Sequence, residues 1–166
     1  MKIFSAPIVS FTPFAICLVL AASIQTKEAL AGSSYPSCFV GTYLVEEGSG
    51  TRSLWTFGSR GTLIITSSAK QALNFSTEQG AWRKSGSRRA KAVTLDFSLN
   101  DAGELISIAR VDADIRFEGH RCSGMVGEFT LRFFDISDDP LNIEQYYGEK
   151  ITDTFTGRRV NIKRNK

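Results

Sequence analysis

Beyond residue 31 the chain holds almost no stretch with a helical period: short segments alternate apolar with polar residues, and Gly, Ser, Asn or Asp separates them. This pattern constrains the fold most, because a period of two sends one face of each segment to a core and the other to water. Phe39 to Val45 and Ser53 to Phe57 are the first two strands expected, the second with Trp55 and Phe57 on one face. Gly58-Ser59-Arg60-Gly61 reads as a tight turn into a β-branched strand over Thr62 to Thr66. Residues 67 to 79 are ambiguous, with a short helical turn expected over Ala69 to Leu73. A strand starting at Gly80 to Arg83 turns at Ser85-Gly86-Ser87 and returns over Ala92 to Leu99, where Val93, Leu95, Phe97 and Leu99 share a face. Leu105 to Phe117 and Met125 to Phe134 repeat the pattern, and Ile151 to Ile162 supplies one or two more strands.

Successive hairpins with short turns and no crossover helices favour an all-β fold: a single antiparallel up-and-down barrel of about eight strands. Closure also removes the exposed edges of a small sheet. A barrel of this size is either filled by side chains or wide enough for one small ligand.

The first residues read as a processing segment. Lys2 gives a positive start, Phe14 to Ala22 is apolar but too short to span a bilayer, and Ala29-Leu30-Ala31 places small residues ahead of Gly32. A cleavable secretory signal over 1–31 and a β-barrel domain over 32–166 are therefore expected. The protein would be periplasmic or secreted, with no transmembrane span after cleavage, and monomeric. Cleavage removes Lys2, Lys27 and Glu28 and leaves 18 basic and 16 acidic residues. That excess is too small for a nucleic-acid binder. Export also lets the two remaining cysteines, Cys38 and Cys122, form a disulfide. The alternative is two reduced, buried thiols.

The series Gly41-Thr42-Tyr43, Leu54-Trp55-Thr56-Phe57, Gly61-Thr62-Leu63, Gly80-Ala81-Trp82, Ala92 to Phe97 and Ile108-Ala109-Arg110 resembles small exported bacterial proteins of the lipocalin-like, or calycin, type. The likeness covers most of residues 39 to 134. It implies a ligand in the barrel mouth or a protein-binding rim. Tyr43 stands where classical lipocalins carry tryptophan, and their Thr-Asp-Tyr segment is missing.

Seven aromatic residues, Tyr43, Trp55, Phe57, Trp82, Phe97, Phe117 and Phe129, are the candidate lining of an apolar pocket, with Tyr43 or a buried arginine as its polar anchor. Packed core is the competing assignment for the same side chains. His120 is the one histidine, which leaves Cys122 as the only nucleophile near it and offers no zinc-ligand spacing. No metal or cofactor is expected. The acidic set Asp112, Asp114 and Glu118 falls on one strand face with Arg110 and Arg116 to neutralise it. Arg83, Lys84, Arg88, Arg89 and Lys91 crowd a nine-residue window at a hairpin tip. They read as a solvated turn or as a contact for an anionic envelope surface, without the interleaved aromatic residues that stack on bases.

The expected function is binding rather than catalysis: a lipocalin-like carrier for a small apolar or amphipathic ligand. Two alternatives stand beside it. One is a filled barrel that engages a partner or the envelope through its basic tip. The other is an isomerase of the allene oxide cyclase type, distinguished by an acid inside the barrel, for which Glu104 and Glu128 are the nearest candidates, although alternation places Glu128 outside.

Overall fold

The alternating segments close on themselves. In a computed structural model, which describes residues 38–161, eight strands follow one another around a closed antiparallel barrel. They are β1 (Gly41–Glu47), β2 (Arg52–Phe57), β3 (Thr62–Ser67), β4 (Glu78–Gly86), β5 (Arg89–Leu99), β6 (Leu105–Glu118), β7 (Gly124–Phe134) and β8 (Tyr147–Arg159), with one short helix, α1 (Ser68–Ala72), between β3 and β4. Closure comes from β8 against β1, in the register Tyr43 with Arg159 and Val45 with Gly157. The C-terminal segment is a single long strand that starts at Tyr147, four residues ahead of its expected start. The signal expected over 1–31 and the basic residues Lys163, Arg164 and Lys166 lie outside the described residues.

Up-and-down connectivity gives the barrel two different ends. The β2–β3 and β4–β5 turns, the His120–Cys122 3-10 turn before β7, and Cys38 all lie at one end. This end is closed. The ring of Phe39 stacks on Phe117 at 4.1 Å between centroids, and Phe57 meets Trp82 edge-on at 5.5 Å. Such pairs add to the area they bury. Tyr43 sits among them, fully buried, and its hydroxyl donates to the carbonyl oxygens of Cys122 (2.9 Å) and Cys38 (3.2 Å). A disulfide joins Cys38 to Cys122. Closing a loop with a sequence separation of 84 restricts the unfolded chain enough to stabilise the fold by about 4 to 5 kcal/mol in the chain-entropy account.

One strand turns the opposite way from expectation. The interior face of β5 is Ala90, Ala92, Thr94, Asp96 and Ser98, all buried, while Val93 and Leu95 are half-buried and Phe97 is 51% exposed. Space explains the inversion at the closed end. Rings from β1, β2, β4 and β6 fill the barrel there, so the facing strand contributes alanines. At the other end the same face turns polar.

Candidate functional site

The open end is built from the β1–β2 loop, α1 with the residues after it, the β5–β6 turn and the long β7–β8 connection. Ser67 caps α1, its hydroxyl accepting from the Ala69 amide at 3.2 Å. The segment behind the helix is tied to β5: Phe75 bridges to Ser98, and the Phe97 amide donates to the Ser76 hydroxyl at 2.9 Å. These ties hold α1 at the mouth with Lys70 directed inward.

Beneath α1 lies a cavity of about 220 Å³. It is smaller than the roughly 300–1,000 Å³ of pockets for drug-sized ligands, and its size suits a compact molecule. Its walls differ in character. Strands β6 to β8 present Val111, Phe129, Leu131 and Ile151, whereas β1, β4, β5 and α1 present Glu47, Glu78, Asp96 and Lys70. The Lys70 ammonium pairs with Glu78 at 3.1 Å and with Oδ2 of Asp96. Thr94 donates its hydroxyl to the other Glu78 oxygen at 2.6 Å. Asp96 is 3% exposed, and its Oδ1 has no hydrogen-bond partner. A buried acceptor without a partner is costly. It marks the place in this wall where a donor is missing.

Glu47 lies on the same side, accepting from the Ser53 hydroxyl at 3.0 Å, and that hydroxyl in turn accepts from the Trp55 indole at 2.9 Å. Burial pushes the Glu47 carboxyl above its usual range, against the Ser53 hydrogen bond. Burial likewise pulls the Lys70 ammonium below its usual range, a pull that Glu78 opposes.

The seven aromatic residues expected to line one pocket are divided by the fold. Trp55 and Phe129 line the cavity. Tyr43, Phe57, Trp82 and Phe117 pack the closed end, and Phe97 lies on the outer face of β5. Tyr43 does not line the cavity, and its hydroxyl is engaged with the carbonyls at the disulfide. Arg159, a half-buried arginine beside it, donates to the Cys38 and Val40 carbonyls at the same end. The acids at the cavity are Glu47, Glu78, Asp96 and Asp153; Glu104 is exposed in the β5–β6 turn, and Glu128 faces outward from β7 as its alternation places it. Alternation alone did not separate Asp96 from a solvated position, because Val93, Leu95 and Phe97 make the opposite face of β5 the more apolar one.

The remaining candidates resolve into ordinary contacts. Cys122 is held in the disulfide and has no thiol to act with His120. Asp112 is bound by Arg110 (2.7 Å) and Arg132 (2.8 Å), Asp114 by Lys91 (3.2 Å), and Glu118 by Arg116 (2.7 Å). Among the described residues no group of three or more His, Cys, Asp or Glu is placed to hold a metal ion, and no helix is long and apolar enough to cross a membrane. The basic residues Arg83, Lys84, Arg88, Arg89 and Lys91 are all exposed and flank the β4–β5 turn, at the end opposite the cavity. No family model, curated protein or solved structure matches the chain.

Proposed function

We propose that the protein is an exported binding protein of lipocalin-like architecture that holds a small amphipathic ligand in the open barrel mouth. The observation that carries this reading is the two-sided cavity: an apolar wall on β6 to β8 faces a buried polar wall whose Asp96 Oδ1 is unpartnered. Few convergent polar groups in a mainly apolar recess are what orient a small ligand. The disulfide supports export, since such bonds persist in oxidising compartments.

Native mass spectrometry of protein purified from its own host, followed by extraction, tests the reading. A stoichiometric small amphipath is expected, and Leu131→Arg, which fills the recess with a charged side chain, should release it. Protein that is empty as isolated, and that takes up nothing from an extract of the same host, would discard the carrier. The interior carboxylates support a second reading, isomerisation of a reactive amphipath in the same recess. Recovery of the captured molecule unchanged after prolonged incubation favours carriage over conversion. A contact between the basic closed end and an anionic envelope surface is compatible with either, because it leaves the mouth free.

A further inference from the structure

The lining of the cavity holds more negative charge than its one cation balances. Among the described residues lining the recess, Glu47, Glu78, Asp96 and Asp153 are carboxylates, and Lys70 is the one cation. Even with Glu47 neutral, Lys70 is shared between Glu78 and Asp96, and one of these charges stays uncompensated. The geometry agrees with the count, since one oxygen of each acid meets Lys70, the second Glu78 oxygen is taken by Thr94, and Asp96 Oδ1 is left over. A buried charge is stable only when paired or hydrogen-bonded. Asp96 is thus short of a donor, and the wall is short of a positive charge.

We propose that the ligand's head is a primary ammonium, or a cationic donor of the same kind, held beside the Asp96 carboxylate, with its chain against Phe129 and Leu131. This rests on the mouth being a ligand site and specifies which amphipath it takes. An ammonium meets both shortages at once. A hydroxyl supplies the donor without the charge, and a carboxylate supplies neither and adds a further anion to the wall. Charge-assisted hydrogen bonds are also roughly twice as strong as neutral ones. The approach to the site has the same sign: the connections around the open mouth carry Asp101, Glu104, Asp135, Asp139 and Glu144, all exposed. Such a rim draws in cations and repels anions. The cavity encloses the head and the first part of the chain, and a longer chain continues into the open mouth.

The test compares three probes of equal chain length, n-octylammonium, 1-octanol and octanoate, by calorimetric titration of the purified protein at neutral pH and low salt. Octylammonium is expected to bind about tenfold tighter than octanol or better, with octanoate the weakest. Asp96→Asn should bring octylammonium to within about threefold of octanol, while Phe129→Ala should weaken both alike. The wild-type series decides even if Asp96→Asn fails to fold. Octanol binding as tightly as octylammonium, or octanoate binding best, would overturn the ammonium head and leave the ligand site standing. Binding of none of the three would overturn the site as well.

Discussion

At the scale of single residues, Glu47 links the apolar interior to the polar wall, and its protonation is expected to register in stability. Burial raises its folded-state pKa above the ordinary value of 4.5, so the folded protein keeps this proton to a higher pH than the unfolded chain. Stability falls wherever the native state binds more protons and the pH rises. Glu47 should therefore subtract stability progressively from about pH 4.5 up through its raised folded pKa, and by a constant amount above it. Denaturant unfolding of wild type and Glu47→Gln across pH 4 to 8 checks this: the wild type should lose ground to the variant through that window. Parallel curves would place Glu47 in ordinary solvent. Residues of this kind were poorly legible in the sequence. Glu78 and Asp96 stand in strands whose alternation fits either face, and only the closing of the barrel decides that a carboxylate points inward beside Lys70. The cysteine pair was legible, because two thiols in a chain expected to be exported have one partner each.

At the scale of elements, strand positions and turns were legible and facing was legible only in part. Trp55 with Phe57, and Val111, Ala113, Ile115 and Phe117, point inward as their alternation predicts. β5 does not, because its inner positions face rings supplied by other strands and must be small there. The packing between strands is tightest where glycine faces the interior. A Cβ on Gly80 would lie 2.0 Å from the Val93 carbonyl oxygen and 2.6 Å from the Thr94 Cα, both of them backbone atoms of β5. Neither can rotate aside, so Gly80→Ala has to push β4 away from β5. A loss of about 1–3 kcal/mol is expected, as for other overpacked sites, read as a lower urea midpoint with an unchanged slope. A change below about 0.5 kcal/mol, the range of ordinary surface substitutions, would mean that the two strands separate easily.

At the scale of the whole molecule, the barrel is polar along its axis. The acidic connections surround the mouth, while Arg60, Arg88 and Arg121 occupy the turns of the closed end, with Arg83, Lys84, Arg89 and Lys91 beside them. A formal net charge of only +3 conceals this division, and the sequence shows it only once the strand order assigns each turn to an end. Against an anionic surface the field orients such a molecule closed end first, leaving the mouth open to solvent. Vesicles containing anionic lipid should therefore bind the protein at low salt and release it as the ionic strength passes about 0.15 M, where screening acts within roughly 8 Å. Arg88→Glu combined with Arg89→Glu should weaken sedimentation with vesicles about tenfold and leave probe binding in the mouth unchanged. The opposite orientation has its own signature. Ile106 and Leu141 near the mouth are 52% and 69% exposed, and docking through them would be apolar, insensitive to salt and weakened by Ile106→Ser rather than by the arginine changes. Vesicle binding that persists at high salt and follows Ile106 would reverse the orientation, and with it the expectation that ligand enters from the aqueous side.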